Sequence, residues 1–161
     1  MRKIYQDYLI RDWQESDRTA AARVIEQVLQ EYGLPWQPRE ADLDVIEVES
    51  AYLNVGGQFW VVEHHGKIVG TAAYYPIKRG NKGVEIRKMY LIPEVRGQGL
   101  GKYLLQELET VIAAQGYQEI WIETASLLKE AVQLYETNGY QRTTGVETQR
   151  CDRVYFKILS I

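Results

Sequence analysis

The sequence predicts a mixed α/β fold, partly α+β-like, in which helices cover a central sheet. Two observations lead to this prediction. Residues 59–63 and 68–75 are β-rich runs separated by a short polar turn, which is typical of an antiparallel hairpin. Residues 84–124 pass through a strand pattern, a helix pattern and a second strand pattern, and that order requires a parallel crossover. A sheet with both kinds of pairing follows.

The first elements are a short strand and a helix. Residues 8–11 are typical of a strand, and Ser16 and Asp17 are both suitable caps for the helix that follows. The apolar residues of this helix recur at intervals of three and four: Ala21, Val24, Ile25, Val28 and Leu29. Gly33 ends the helix, and residues 42–52 predict a second, short one.

The later elements complete the sheet and its helical cover. A glycine-rich turn precedes a helix whose apolar face consists of Leu100, Leu104, Leu108, Val111 and Ile112, and Gly116 ends it. The next helix carries Leu128, Ala131, Val132 and Tyr135 and ends at Asn138 and Gly139. Further strands are predicted over 84–92, 119–124, 140–144 and 154–159.

Length and composition limit the class of protein. The 161 residues suit one domain, 1–161, with a composition ordinary for globular proteins. A formal charge of −3 and the lack of a basic cluster argue against a nucleic-acid partner. No apolar run approaches the roughly 20 residues that cross a bilayer, and the first residues lack a signal-peptide pattern. With Cys151 as the one cysteine, a cytoplasmic protein without a membrane partner is expected.

Gly97, Gly99 and Gly101 lie between a predicted strand and a predicted helix. Glycine allows the backbone to approach a ligand closely, and the free N–H groups and the dipole of the helix attract anions. Arg96 and Lys102 flank the turn with positive charges, so the turn predicts a diphosphate site. The alternative is that the glycines only shape a tight turn.

Two other phosphate-binding loops fit these residues less well. A Walker loop is excluded because Tyr103 follows Lys102 and because Arg96 stands where its first glycine belongs. A dinucleotide fingerprint starting at Gly97 requires glycine or alanine where Lys102 stands, and it normally opens the first βαβ unit. Glu123 is placed like a ribose-binding acid, so this alternative stays open.

The sequence around the turn resembles the acetyl-CoA signature of the GNAT superfamily of N-acetyltransferases. Arg96-x-x-Gly99-x-Gly101 has that signature's form, and Leu134-Tyr135-Glu136-Thr137-Asn138-Gly139-Tyr140 is similar to the family's second signature. The resemblance, closest to small-molecule-type members, implies the GNAT fold. In that fold a central, mostly antiparallel sheet of about six or seven strands splays between its fourth and fifth strands, with about four flanking helices.

The resemblance implies acetyl-CoA as the cofactor and indicates the residues that would bind it. Pantetheine would enter the splayed wedge and bond to the fourth strand at Met89, Tyr90 and Leu91, where an N–H of Met89 or Tyr90 would polarise the thioester carbonyl. The diphosphate would bind the backbone of Arg96, Gly97, Gln98, Gly99, Leu100, Gly101 and Lys102. Leu128 stands where many members have a cofactor-contacting asparagine; nearby Ser126 is expected to cap the helix.

The resemblance also assigns two catalytic roles. Tyr135 matches the family tyrosine that protonates the sulfur of coenzyme A; the alternative is an aromatic residue of the core. Glu85, eleven positions before Arg96, matches the carboxylate that some members use as a general base. Two alternatives stay open: a strand carboxylate paired with Arg87 or Lys88, and deprotonation through ordered water.

The predicted function is acetyl-CoA-dependent acetylation of a primary amine, of a small molecule or amino acid, by direct transfer without an acyl-enzyme. A protein acceptor and a non-catalytic acyl-CoA-binding module are the alternatives. Acceptor contacts are available from Trp36, Tyr52, Trp60, Tyr74 and Arg87. No metal site is predicted, since His64 and His65 are interpreted as hairpin-turn residues, and a homodimer is compatible with the sequence.

Overall fold

The computed structural model describes residues 1–160, which form an eight-stranded sheet with helices on both faces. The strands are β1 Arg2–Tyr5, β2 Tyr8–Asp12, β3 Gln58–His64, β4 Lys67–Ile77, β5 Gly83–Leu91, β6 Glu119–Thr124, β7 Gln141–Thr143 and β8 Arg153–Ile158. The helices are α1 Arg18–Glu31, α2 Leu43–Ile46, α3 Val48–Ala51, α4 Leu100–Ala114 and α5 Lys129–Thr137.

The strand order is β1-β2-β3-β4-β5-β6-β8-β7, and every neighbouring pair is antiparallel except β5 and β6. The parallel pair is the predicted crossover through α4, because a chain that returns in the same direction needs a helix to cross the sheet. The mixed, mostly antiparallel sheet predicted from the sequence is confirmed.

Two counts differ from the prediction. Strand β1 was not predicted, because its residues show no alternation of apolar and polar side chains and are mostly exposed at the sheet edge. It forms through a tight hairpin with β2, in which Gln6 has a φ of 52°. The helix predicted over 42–52 is two four-residue helices, since the chain leaves helical geometry at Glu47, with φ −107° and ψ 53°.

The sheet has a buried core on each face. Helix α4 packs on one face, where alternate residues of the central strands are fully buried, among them Trp60, Tyr74 and Ile86. Helix α1 and the two short helices cover the other face and bury Phe59, Val61 and Ala73. The strictly alternating burial of β6 follows from the same geometry, because successive strand side chains point to opposite faces.

The sheet splays between β5 and β6. Residues Gly83, Val84 and Glu85 pair with Glu119, Ile120 and Trp121, and the two strands part beyond that point. Because β1 adds one strand at the start of the chain, β5 and β6 are the fourth and fifth strands of the sequence prediction. The predicted splay is confirmed, and it leaves the facing edges of both strands open.

The predicted helix caps differ in detail. Asp17 precedes α1 but makes no side-chain cap to that helix, and its carboxylate instead binds Arg11 at 2.8 and 2.9 Å. Ser126 does not cap α5, because Leu128 holds the cap position. The Ser126 hydroxyl donates to Asp152 at 2.6 Å, which ties the start of α5 to the loop before β8.

None of the helices within residues 1–160 combines the length and the apolar character needed to cross a membrane.

Candidate active site

A cleft of about 310 Å³ opens where β5 and β6 part. Its walls come from β5, from β6, from the turn before α4 and from α5, with the end of α1 at the rim. The lining residues are Val28, Tyr32, Ile86, Arg87, Lys88, Met89, Tyr90, Leu91, Arg96, Gly97, Gly99, Gly101, Lys102, Ile122, Glu123, Thr124, Leu128, Glu130, Ala131, Leu134 and Tyr135.

The glycine turn at one end of the cleft has the geometry of an anion site. Gly97 and Gly99 have φ values of 78° and 82°, a region that L side chains rarely adopt. No backbone N–H from Gly97 through Lys102 donates a hydrogen bond to the described part of the chain. These free N–H groups lie just before α4 and in its first turn, where the helix dipole also favours a negative group.

The two charges that flank the turn are not equivalent. The Arg96 guanidinium binds Glu31 at 2.6 and 2.8 Å and donates to the Leu91 carbonyl at 3.0 Å, so its charge is largely compensated. Lys102 has no carboxylate within 4 Å among residues 1–160. Lys102 and the free amides, rather than Arg96, are therefore the groups that could hold a diphosphate by charge.

Strand β5 carries a bulge in the wall of the cleft. Its pairing with β4 shifts register, so that Thr71 faces Tyr90 while Ala73 faces Arg87. Lys88 is the extra residue of the bulge and has a φ of 51°. The buried Thr71 hydroxyl donates to the Lys88 carbonyl at 2.6 Å. A bulge twists the strand locally. The predicted pantetheine-binding residues Met89, Tyr90 and Leu91 follow it directly and all line the cleft.

Tyr135 lines the cleft from α5 with 4% of its surface exposed. Its ring packs against Tyr140 and Tyr155, with centroids 5.9 and 6.0 Å away. Burial, with a smaller contribution from Tyr90, raises the pKa of Tyr135 well above its ordinary value, so the hydroxyl keeps its proton at neutral pH. That hydroxyl makes no hydrogen bond to any residue that the structure describes, which leaves the proton available to a ligand.

Glu85 lies on the same strand but does not line the cleft. Its carboxylate accepts a hydrogen bond from the Tyr75 hydroxyl at 2.7 Å. Burial raises the pKa of Glu85, and Arg87 and Tyr75 only partly oppose that rise. The alternative of an ion pair with Arg87 or Lys88 is wrong, because neither cation has a nitrogen within 4 Å of this carboxylate and Lys88 binds Asp42 instead.

Not every predicted site residue faces the cleft. Gln98 and Leu100 do not line it. The Gln98 carbonyl accepts from Tyr5 at 2.8 Å and its side chain from Tyr8 at 3.1 Å, so Gln98 joins the turn to the first hairpin. Leu100 is 1% exposed in the core, and its backbone N–H alone belongs to the turn. All the other cofactor-binding residues predicted from the sequence line the cleft.

The acceptor contacts suggested by the sequence separate into two groups. Trp60 and Tyr74 are fully buried on the α4 face, and Tyr52 is buried beneath the short helices. Trp36 packs at the margin of the same α1-side core. Arg87 alone of the five lines the cleft. Trp60 and Tyr74 belong to the core because the alternation of side chains in β3 and β4 places them on the inner face.

A buried ionic cluster beside the bulge was not predicted. Asp42 is fully buried and binds Lys88 at 2.7 Å and Arg150 at 2.6 and 2.8 Å. Burial opposes ionisation of Asp42, but hydrogen bonds and charge from Arg150 and Lys88 lower its pKa to about 2. The cluster fixes the segment before α2 and the loop before β8 to the cleft wall. The contacts join residues 46 and 108 positions apart, so no local signal could have indicated them.

The histidines and the cysteine stay outside the predicted chemistry. His64 and His65 lie at the β3–β4 hairpin tip, where His64 packs on Tyr8 with centroids 4.7 Å apart. Burial raises the pKa of Cys151 to about 11, which keeps the thiol protonated. Within residues 1–160 no group of three or more histidine, cysteine or acidic residues has an arrangement suited to a metal ion.

A sheet that splays over a cleft, with a glycine turn leading into a helix at its mouth, defines a known class of acyl-transferring enzymes. A family model described as the acetyltransferase (GNAT) family matches residues 22–140. The chain therefore belongs to the acetyltransferase (GNAT) family. This match confirms the family and the N-acetyltransferase class that the two signatures predicted.

Two curated N-acetyltransferases are similar to this chain in sequence. The chain is 37% identical over 128 residues to "Uncharacterized N-acetyltransferase YjgM" of Escherichia coli K12, covering 78% of this chain and 77% of that protein. It is 35% identical over 103 residues to "Probable N-acetyltransferase family 8 member 5" of mouse, covering 62% of this chain. The chain spans only 45% of the length of the mouse relative.

Solved structures share the fold at lower sequence identity. A GNAT-family acetyltransferase from Staphylococcus aureus Mu50 superposes with a TM-score of 0.87 at 23% identity, covering 95% of this chain and 99% of that one. The yncA structure from Salmonella typhimurium, solved with acetyl-CoA, superposes with a TM-score of 0.72 at 22% identity, covering 96% of this chain and 94% of that one. These similarities confirm the predicted fold.

Proposed function

We propose that this chain transfers the acetyl group of acetyl-CoA directly to the primary amine of a small molecule. The proposal rests on Tyr135, whose buried hydroxyl keeps its proton, lines the cleft between the splayed strands and makes no hydrogen bond within residues 1–160. Tyr140 satisfies its hydroxyl by donating to Glu109 at 2.7 Å, and the core hydroxyl of Tyr74 is buried without a partner among residues 1–160. Tyr135 differs from both because its side chain lines the cleft, where a ligand can reach it.

The cleft fits acetyl-CoA. The free N–H groups from Gly97 through Lys102 suit the diphosphate, and the Lys102 ammonium adds charge at the same end. The open edge of β5 after Glu85 offers backbone groups for the amides of pantetheine. The relative solved with acetyl-CoA shares this fold, which supports the same cofactor here. Bound acetyl-CoA would supply a thioester, whose carbonyl carbon an amine attacks and whose thiol leaves.

Two residues would move protons during transfer. The Tyr135 hydroxyl would donate its proton to the departing sulfur, and its raised pKa keeps that proton in place until it is needed. Glu85 would take the proton from the attacking amine through water, because it lies behind the cleft wall rather than in it. Its raised pKa brings a carboxylate closer to the neutral range in which a base works well.

The test is release of free thiol from acetyl-CoA by the purified chain with a panel of primary amines: amino acids, polyamines and peptides. The proposal expects thiol release that depends on the amine and an acetylated amine of matching mass. Tight binding of acetyl-CoA without release would favour a non-catalytic module. Release with peptides alone would favour a protein acceptor.

Three further expectations stay predictions: a cytoplasmic location, one domain over 1–161 and a homodimer.

A further inference from the structure

Arg87 is a half-buried cation in the cleft wall with almost no protein partner. Among residues 1–160 its guanidinium makes one hydrogen bond, a 3.4 Å contact to the Ala41 carbonyl, and it lies over the Tyr75 ring at 5.9 Å. No carboxylate oxygen of residues 1–160 lies within 4 Å of its nitrogens. A guanidinium carries five N–H donors and cannot lose its charge in a protein, so most of its binding capacity is unused.

The carboxylates nearest to Arg87 are already engaged. Glu85 accepts from the Tyr75 hydroxyl. One Asp44 oxygen accepts from the Tyr52 hydroxyl, and the other lies 3.5 Å from the Lys88 ammonium without a hydrogen bond to the described chain. Burial works against the charge of Arg87, but Tyr52, Asp44 and Glu85 raise the pKa of its side chain at longer range. The guanidinium therefore stays charged without a direct ion pair.

The other cations of the cleft show the contrast. Lys88 is bound to Asp42 at 2.7 Å, and Arg96 is bound to Glu31 at 2.6 Å. In the described chain, Arg87 and Lys102 are the cleft-lining cations that lack a carboxylate partner. A cation held in a cleft wall without such a partner is placed to bind an anionic group of a ligand.

These two cations lie on different elements of the cleft wall, Lys102 in the first turn of α4 and Arg87 on β5. Lys102 follows the glycine turn, where the free amides already suit a diphosphate. Arg87 precedes Leu91 on β5, and their partners on β4, Ala73 and Gly70, are three residues apart, which is about 10 Å at the usual rise per residue. It also precedes the bulge, on the sheet face that α1 and the short helices cover. A diphosphate bound by the free amides of the turn would leave Arg87 for another anionic group.

We propose that Arg87 binds a carboxylate of the acetyl acceptor, which makes the acceptor a small amine that also carries a carboxylate, as an amino acid does. The inference rests on the proposed function and specifies its substrate class. A guanidinium matches the two oxygens of a carboxylate in a planar, bidentate arrangement. Glu85 and Asp44 lie near enough to make a doubly charged phosphate less favourable there than a singly charged carboxylate.

The first experiment compares matched acceptors. Thiol release is measured for each L-amino acid, for its methyl ester and for the amine left after removal of its carboxyl group. Each set shares the same side chain, but the carboxylate and the ester change the pKa of the amino group. Each KM is therefore measured across pH and expressed for the unprotonated amine, so that the remaining differences report the carboxylate. The expected KM is roughly 10- to 100-fold lower for the free acid, the scale of a charge-assisted hydrogen-bond pair. Equal or lower KM values for the ester and the amine would overturn the inference.

The second experiment compares a substitution of Arg87 on β5 with a substitution of Lys102 beside the glycine turn. Arg87→Gln is expected to raise KM for the free acid by roughly 10- to 100-fold and to leave KM for the decarboxylated amine and for acetyl-CoA unchanged. Arg87→Lys keeps the charge and should recover part of the loss. Lys102→Gln is the matched control and should raise KM for acetyl-CoA alone. An Arg87→Gln effect on the acid and the decarboxylated amine alike would contradict the assignment.

A binding measurement separates this inference from the proposed function. Amino acids are titrated calorimetrically into protein saturated with coenzyme A, where no transfer can occur. Wild-type protein should bind the preferred free acid and Arg87→Gln should bind it at least about 10-fold more weakly. If binding follows this pattern while no amine releases thiol, the proposed function fails and the carboxylate site stands. If thiol is released but binding ignores the carboxylate, the site fails and the proposed function stands.

Discussion

The Thr71 hydroxyl donates a hydrogen bond of 2.6 Å to the carbonyl of Lys88, and both residues are buried. Lys88 is the bulged residue of β5, with a φ of 51° that its side chain disfavours. This hydrogen bond gives the Lys88 carbonyl a partner where the bulge interrupts the pairing of β4 with β5. The bulge in turn directs Met89 and Tyr90 toward the cleft, so a side chain on β4 holds the wall that would bind pantetheine.

Replacing Thr71 with valine should therefore loosen this wall. The shape is kept, but the buried Lys88 carbonyl loses its donor, which should lower the free energy of unfolding by about 1–3 kcal/mol. KM for acetyl-CoA should rise as the bulge relaxes. Denaturant unfolding and steady-state kinetics measure the two effects. Thr71→Ser keeps the hydroxyl and should stay close to wild type; a serine variant as impaired as the valine variant would contradict this role.

Replacing Gly99 with valine should abolish tight binding of acetyl-CoA while the protein still folds. A Cβ at Gly99 would lie 2.6 Å from the Tyr5 hydroxyl, and the φ of 82° adds backbone strain of about 1–3 kcal/mol. Both effects displace the free N–H groups of the turn. Calorimetric titration of acetyl-CoA into the folded variant measures the loss.

Gly116→Val is the matched control for this substitution. Gly116 has a φ of 89°, a Cβ there meets nothing within 4 Å, and it follows the far end of α4. It should cost similar stability and leave acetyl-CoA affinity unchanged. Equal affinity in the folded Gly99 and Gly116 variants would remove the glycine turn from the cofactor site.

Replacing Tyr135 with phenylalanine should lower kcat by roughly 100-fold or somewhat less, because the departing sulfur loses its proton donor. The Tyr135 hydroxyl makes no hydrogen bond to the part of the chain that the structure describes, so stability and acetyl-CoA affinity should change little. Tyr140→Phe breaks the bond to Glu109 and should lower stability by about 1 kcal/mol with kcat intact. Weak cofactor binding in the Tyr135 variant would instead make this tyrosine a packing residue.

Replacing Glu85 with glutamine should reduce kcat/KM at neutral pH and much less at alkaline pH, where the amine arrives deprotonated. Because the pKa of Glu85 is raised on folding, its contribution to stability is full below its unfolded pKa and is lost as pH rises through its folded pKa. The glutamine variant should therefore be at least as stable as wild type at neutral pH.

Tyr75 provides a second readout on Glu85. The Tyr75 hydroxyl lowers the pKa of the carboxylate by donating to it, so Tyr75→Phe should raise that pKa further. The acid limb of the kcat/KM profile should then move to higher pH. If both variants keep the wild-type pH profile, Glu85 has no part in deprotonating the acceptor.

Replacing Asp42 with asparagine should lower the free energy of unfolding at neutral pH by about 3–5 kcal/mol, because the buried Arg150 loses the carboxylate that binds it and Lys88 keeps only the 3.5 Å contact with Asp44. The pKa of Asp42 is lowered to about 2 from 3.8, so its stabilising effect is present above 3.8 and disappears as pH falls toward 2. Unfolding measured across this range should show the two proteins converging at the acid end. A constant difference would contradict the ionic origin.

The sequence by itself determined the elements whose signals are local. The glycine turn, the amphipathic helix after it and the helix that carries Tyr135 were predicted correctly, because helical spacing and turn chemistry depend on residues a few positions apart. The parallel crossover followed from the order of those elements. The strand β1 escaped prediction because its stability comes from pairing with β2 and not from its own pattern.

Only the tertiary structure decided how the charged residues of the cleft are used. Arg96 and Arg87 both appear in the sequence as available cations, yet Glu31 neutralises the first and no carboxylate of residues 1–160 lies within 4 Å of the second. Asp42 binds Lys88 and Arg150 from 46 and 108 positions away. Such pairings depend on distances that the packed sheet sets. The Coulomb energy of two charges falls with their separation, so residues far apart in the unfolded chain attract each other only after folding has brought them together.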